Sequence, residues 1–437
     1  MGLTATESEP HVTDARSPAA VLFDGSYYGT LAAVRSLGAA GVPVIVADCR
    51  RRATAFFSRH TARRLWCPPT DDGERLLEWL ATLPRRDGTG PYVVYPTSDE
   101  IAVLLASHRA ALSDDFVLYQ PDLPTTWRVL DKKNLLEEAR AAGLEVPDTW
   151  FPRDASDVRR AAREADGPLM IKPRTQVMLL HHCKGTLVSD GADIVAEYDR
   201  FRRENSYASW MARTFPELTQ PLLQRYHGDA SQQVYSIAGF RDVTGRHLAM
   251  SGSVKVLQRP RGMGVGLCFE SAAIAPDLAR LSAKLLERLG YFGVFELEFL
   301  RDGERSLLID MNPRFYNQLA LDIARGLDLP RIAYAAALGD EAAVERLVAA
   351  HHGGDGPMVF CNRIGLNMLL GAKRLFGRIS REDASRWRQW ARDPTKTIID
   401  SVDIAGDRVP TLAEAASQVY ECLRHPRGFL KNVVFDR

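Results

Sequence analysis

Apolar runs and polar breaks succeed one another in short blocks at the start of the chain. AAVLFD is a short apolar run, GSYYG reads as a turn, and residues 30–40 carry a helical repeat that Gly41 stops. VPVIVA then forms a second apolar run closed by Asp48. Continuous apolar strands around one helix predict a βαβ unit of a parallel sheet. Gly25 and Gly29 do not complete a GxGxxG fingerprint, so the layer is Rossmann-like without pointing to a nicotinamide cofactor. A further strand, YVVYP at 92–96, ends in Thr97, Ser98 and Asp99. Polar side chains there either face a ligand crevice or cap the helix that IAVLLA begins, and the two roles are compatible.

A new unit starts near residue 127. WRVLDKKNLLEEARAAG reads as a helix that Asp131 caps, Leu135, Leu136 and Ala139 bury, and Gly143 ends. Two strands flank a long loop in PLMIKPRTQVMLLHHCKGTLVSD, and strands follow near 221–226, 232–240 and 247–257. A helix covers much of 271–289, and 292–300 with 307–311 read as a strand pair. From about 341 the pattern turns helical. Residues 371–392 carry seven bases against two acids, which reads as a solvated surface or a subunit contact, and a last helix lies at 411–423.

The strand pair FGVFELEFLRDGERSLLIDMNPRF carries its polar groups at even positions: Glu296, Glu298, Asp310 and Asn312. Residues of one parity share a face of a strand. Across the hairpin, Glu298 and Asp310 share a face only if paired positions sum to an even number. A three-residue loop, 302–304, with Gly303 in a left-handed conformation, satisfies that condition and is the expected turn. The face then presents two carboxylates and an amide oxygen beside Arg314. Such a buried set is costly without a cation, and hard oxygen donors suit Mg²⁺ completed by phosphate oxygens. An exposed polar hairpin face is the bland alternative.

Composition changes this picture in one respect. The 437 residues hold 56 Lys+Arg against 55 Asp+Glu, so no global field attracts nucleic acid or an anionic membrane. Only nine of the cations are lysines, so each lysine's position is informative. The hydrophobic share of 46% is that of an ordinary globular protein, and no apolar run reaches a membrane span. The first 18 residues are polar and acidic and read as a loose tail rather than a signal peptide, which predicts a cytoplasmic protein. Six scattered cysteines without a CxxC pair predict buried free thiols.

The hairpin resembles the metal-binding hairpin of the ATP-grasp superfamily, an acid on one strand followed by an (E/D)-x-N-x-R run on the next. Glu298, Asp310, Asn312 and Arg314 match those positions. Four further elements occur in the family's order: DKK at 131–133, IKP at 171–173, Lys184-Gly185-Thr186, and LLQRYHGD at 222–229. The resemblance covers roughly residues 20–330. It implies a mixed α/β (α+β) ATP-grasp architecture: a tail (1–18), a Rossmann-like domain (19–126), a first grasp lobe (127–226), a second lobe with the metal hairpin (227–340), and a mostly helical C-terminal extension (341–437).

The same resemblance implies ATP and Mg²⁺ (or Mn²⁺) as cofactors. Lys132 or Lys133, Lys172, Lys184, Gly185, Gln224, Arg225, Tyr226 and Asp229 would hold the nucleotide, with Lys132 favoured over Lys133. Glu298, Asp310 and Asn312 would hold the metal, and Arg314 would stabilise the transferred phosphoryl group. Lys255 and Arg259, in a basic stretch with Arg261 before a Gly-rich turn, are candidates for catalysis, and Arg259 also for a substrate carboxylate. A mobile basic loop is the alternative there. Ser98 and Asp99 are the candidates for meeting an amine. Two departures from the family stand out: the phosphate loop TQVMLLHHCKG is long, and Gln224-Arg225-Tyr226 replaces an acid at the hinge. His181, His182 and Cys183 are adjacent and cannot all reach one ion, so packing or a lid role is expected of them. The implied activity is that of a carboxylate–amine ligase of the D-aspartate-ligase-like branch, a homodimer acting on small molecules. A carboxylase or thioester-forming ligase, and a non-catalytic nucleotide-binding protein, are the alternatives.

Overall fold

The computed structural model describes residues 17–84, 90–180, 184–188, 191–228, 234–259, 265–351 and 357–426. Asp229, Arg261, His181, His182 and Cys183 lie outside these residues, as does the side chain of Arg259.

Five parallel strands build the N-terminal layer: β1 (Ala20–Phe23), β2 (Val44–Asp48), β3 (Arg63–Trp66), β4 (Tyr92–Val94) and β5 (Phe116–Leu118). Their order, β3-β2-β1-β4-β5, is the Rossmann order, and it reverses between β1 and β4. β1 and β2 are buried along their whole length, as expected for strands covered on both faces. Ser98 caps the Asp99–Ser107 helix by accepting from the Ile101 amide, and Asp99 opens that helix at the switch point.

A small four-stranded sheet follows: β6 (Thr149–Trp150), β7 (Leu169–Lys172), β8 (Thr186–Leu187) and β9 (Leu222–Arg225), in the order β6-β9-β7-β8. The third sheet comprises β10 (Val234–Arg241), β11 (Leu248–Arg259), β12 (Val265–Ala272), β13 (Gly293–Asp302), β14 (Arg305–Asn312), β15 (Met358–Cys361) and β16 (Thr397–Asp400). Its order is β14-β13-β10-β11-β12-β15-β16. The extension is mostly helical, as expected, with the helices Glu341–Ala349, Arg363–Leu375, Arg381–Trp390 and Val409–Arg424, and it adds two short strands that the pattern did not predict. The four-residue run MVFC is fully buried, and its shortness gives no period to read beside the long helices around it.

The odd positions of β13, namely Phe295, Leu297 and Phe299, are fully buried in a core shared with Leu285, Leu286 and Leu289 of the Pro276–Leu289 helix. Leu135, Leu136 and Ala139 of the Lys132–Ala142 helix join the same core. The helix carrying Lys132 therefore packs on the large sheet, on the face opposite the even-numbered acids. Of the described cysteines, Cys67, Cys268 and Cys361 are buried free thiols, whereas Cys49 is exposed and Cys422 half-buried. No helix among the described residues is long and apolar enough to cross a membrane.

Candidate active site

The hairpin turn differs from the expected one. Arg301 pairs with Ser306 and Asp302 with Arg305, leaving a two-residue Gly303-Glu304 turn. Gly303, at φ 63°, supplies the left-handed conformation that the first position of such a turn demands. That turn alone would set Glu298 and Asp310 on opposite faces. A bulge restores them: Phe299 pairs with Leu308, the next pair is Glu298 with Asp310, and Ile309 is the extra residue. Glu296 pairs with Asn312 on the same face. The same-face placement holds, by a different device from the one expected.

This face lines a cavity of ≈ 280 Å³ between the sheets. Lys132 donates from Nζ to Asp310 Oδ1 at 2.8 Å, and Lys255 from Nζ to Glu298 Oε1 at 2.9 Å. Lys172, at the end of β7, donates to Gln224 Oε1 at 2.8 Å, and Gln224 Nε2 donates to Thr149 Oγ1 at 3.0 Å. Lys133 points elsewhere, 4.0 Å from Glu137 on the exposed side of its helix. Lys184, Arg225 and Tyr226 also border the cavity, although Arg225 lies 3.8 Å from both Asp148 and Asp166. Gly185 sits behind Lys172: a Cβ there would come within 2.9 Å of Lys172 Cγ and 3.0 Å of the Ile171 carbonyl oxygen, at φ 154°. Only glycine lets the two strands close so tightly around that lysine.

Arg314 spans two units. Its Nε donates to Asp99 Oδ1 at 2.6 Å, and its Nη2 to Asn312 Oδ1 at 2.9 Å. Asp99 thus reaches the cavity as an ion-pair partner, while Ser98 is buried as a cap and does not line it. The backbone of Arg259 ends β11.

The electrostatics follow from crowding. Burial lowers the Lys172 pKa to about 8, with Lys132 adding repulsion. Lys184 is likewise lowered, first by desolvation. Desolvation pulls Lys255 down too, but Glu298 and Glu296 more than offset it and the net shift is upward. Burial raises Glu296, and the neighbouring Glu298 charge raises it further. Burial also penalises the Glu298 carboxylate, but Lys255, with Lys184 and Lys132, holds it below the usual range.

Sequence reasoning gave no role to three groups. Glu296 is fully buried, bonded by Asn312 Nδ2 at 2.9 Å and by Gln318. Its parity with Glu298 was the available signal. Arg174 clasps Asp131 through two nitrogens, and its carbonyl accepts from the Lys132 amide at 3.0 Å. This brace joins the segments bearing Lys132 and Lys172, and its only signal was adjacency to IKP. Asp24, buried at the end of β1 at φ 54°, accepts from Thr97 Oγ1 at 3.1 Å, and burial raises its pKa. Nothing in the sequence marked it.

Among the described residues, no three His, Cys, Asp or Glu side chains gather as a metal cage. Two carboxylates and an amide oxygen are instead a partial oxygen set, which fits a cation whose remaining ligands come from a bound anion or water.

No protein-family model matches the sequence, and no curated protein matches it. Solved structures do. The biotin carboxylase domain of Hydrogenobacter thermophilus 2-oxoglutarate carboxylase, in complex with MgADP, ADP and bicarbonate, is similar with a TM-score of 0.58 and 16% identity, over 73% of this chain and 69% of that one. Campylobacter jejuni biotin carboxylase matches with a TM-score of 0.59 and 16% identity, over 75% and 72%. N5-carboxyaminoimidazole ribonucleotide synthetase from Thermotoga maritima matches with a TM-score of 0.51 and 15% identity, over 74% and 76%. At these identities the likeness establishes the fold, a mixed α/β ATP-grasp fold, and nothing finer.

Proposed function

We propose that this ATP-grasp chain is an ATP-dependent carboxylate–amine ligase that activates a carboxylate as an acyl phosphate and couples it to an amine. One observation carries the reading: the acids Glu298 and Asp310 and the lysines Lys132 and Lys255 neutralise one another pairwise inside one cavity, with Lys172 alongside. A magnesium–triphosphate complex would exchange both partners at once, giving the acids a cation and the lysines phosphate oxygens. The nucleotide-bound carboxylase structure named above supports ATP and Mg²⁺ as the bound species.

In this scheme Glu298, Asp310 and Asn312 hold the metal, which when bound neutralises charge on the triphosphate. Lys132, Lys172 and Lys184 hold phosphates as point charges, and Gly185 lets backbone approach them. Apolar Met170, Val234 and Leu300 line the same cavity beside Gln224, Arg225 and Tyr226, a surface suited to the adenine ring. Arg314, oriented by Asp99 and Asn312, stabilises the phosphoryl group in transfer. A carboxylate oxygen attacks the terminal phosphorus and ADP leaves. The amine nitrogen then attacks the acyl carbon, phosphate leaves and the nitrogen loses a proton. Lys255, beside Glu298, is placed to meet the carboxylate. Asp99 borders the cavity, and its second carboxylate oxygen is the side-chain group available to an amine. The D-aspartate-ligase-like branch remains the favoured affiliation within the superfamily.

A second reading is a carboxylase that activates bicarbonate, favoured by the likeness to biotin carboxylases. ADP release measured with single amino acids and amines, against bicarbonate alone, separates the two. Release that needs both a carboxylate and an amine supports ligation, and release with bicarbonate alone overturns it.

A further inference from the structure

A second, larger cavity of ≈ 680 Å³ lies where the C-terminal helices meet β11. Its floor is an irregular stretch of strand. Lys255 pairs with Phe269, Leu257 with Cys268 and Gln258 with Gly266, so Val256 and Leu267 are extra residues on opposing strands. Bulges of this kind re-aim side chains beside functional sites. Here Lys255 and Gln258 border both this cavity and the catalytic one, while the Lys255 ammonium binds Glu298 at 2.9 Å.

The other walls come from two helices. Leu369, Leu370 and Lys373 lie on one face of the Arg363–Leu375 helix. Asp383, Arg386 and Trp387 lie on one face of the Arg381–Trp390 helix, which Ser380 caps. Arg378 stands in the link between them. Among the described residues the lining thus combines an apolar body with three cations, Lys373 and Arg386 on the helices and Arg378 in the link, and one acid, Asp383, which pairs with Arg386 at 2.6 Å. The volume is that of a small-molecule site.

We infer that this cavity is the specificity pocket for the carboxylate substrate, and that it takes the distal end of an elongated molecule with an apolar body and a second anionic group. The inference rests on the ligase reading of the catalytic cavity. The reacting carboxylate lies near Lys255, the apolar body runs past Gln258 and Leu257 toward Leu370 and Trp387, and the distal anion meets Lys373, Arg378 and Arg386. The basic stretch at 371–392 then has a function beyond solvation.

Suberate, a dicarboxylate with an apolar body, and octanoate, its monocarboxylate counterpart, are the probes. Binding is read by calorimetry on the full chain, with Mg-ADP binding measured in parallel. The wild-type chain is expected to bind suberate at least tenfold more tightly than octanoate. The double variant Lys373→Glu/Arg386→Glu is expected to lose that preference while binding Mg-ADP unchanged. Both side chains sit on helix surfaces, so the unchanged Mg-ADP affinity also reports an intact fold. As a second variant, Leu370→Ala should weaken both probes alike, because it removes apolar wall and leaves the charges. Equal affinity for the two probes, no binding of either, or a double variant that retains the preference overturns the inference. Failure of the ligase reading shows separately, as no ADP release with any carboxylate–amine pair while the suberate preference persists.

Discussion

Lys172→Met offers a test in which stability and ligand binding should move apart. The Lys172 pKa lies at about 8, against 10.5 for an ordinary lysine. At ~1.4 kcal/mol per unit, the charged form therefore carries at most about 3–4 kcal/mol of strain at neutral pH. Methionine removes that strain and keeps the volume. It leaves Gln224 Oε1 without its 2.8 Å donor, at a cost of about 1–3 kcal/mol. The two terms nearly offset, so the melting temperature of the nucleotide-free variant should match or slightly exceed that of the parent. The proposed phosphate contact has no replacement. A charge-assisted hydrogen bond contributes about 1.5–3 kcal/mol, which predicts a loss of roughly 10–100-fold in Mg-ADP affinity. Thermal unfolding without nucleotide and calorimetric titration with Mg-ADP read the two quantities. A variant that unfolds earlier yet binds Mg-ADP as tightly as the parent would make Lys172 a strut for β9 and refute the reasoning.

Four further outcomes follow from the same geometry. Asp310→Asn keeps the shape but gives up a ligand charge and the ion pair with Lys132; ADP formation should fall by about 10²–10³-fold with a circular dichroism spectrum like the parent's. Nucleotide binding should take up a proton above pH 8, because phosphate restores the charge that burial removes from Lys172; titrations in buffers of different ionisation enthalpy read the uptake. In the nucleotide-free protein the unfolded chain holds that proton up to the ordinary lysine value of 10.5 while the folded chain releases it near 8, so this group's contribution to stability should rise with pH between those values, which denaturant unfolding can follow. Lys133→Ala, on the exposed helix side, should leave Mg-ADP affinity unchanged whereas Lys132→Ala lowers it about tenfold or more by calorimetry.

The acidic face was legible because period two and a short spacing to Asn-Pro-Arg leave few arrangements, whereas its lysines were legible only through the family resemblance. The turn was not, because Gly303 admits either loop length and a bulge at Ile309 leaves no mark in composition. β15 and β16 were hidden by their four-residue length among long basic helices. Lys132 could be preferred to Lys133 only by resemblance. In the fold the reason is physical, since Asp131 and Arg174 fix the helix start so that Lys132 faces Asp310 and Lys133 faces outward. Asp24 and Arg174 act across units far apart in sequence, and no local pattern reports such contacts.

Everything proposed for the Glu298–Asp310 face turns on one step, the attack of a carboxylate oxygen on the terminal phosphorus of ATP. Amino acids labelled with ¹⁸O in their carboxylates, incubated with MgATP and an amine, test it through mass analysis of the phosphate released. Ligation through an acyl phosphate predicts one ¹⁸O atom in each phosphate, accompanied by an amide product. Unlabelled phosphate released with the amino acids, or label that enters phosphate only from ¹⁸O-bicarbonate, would contradict it.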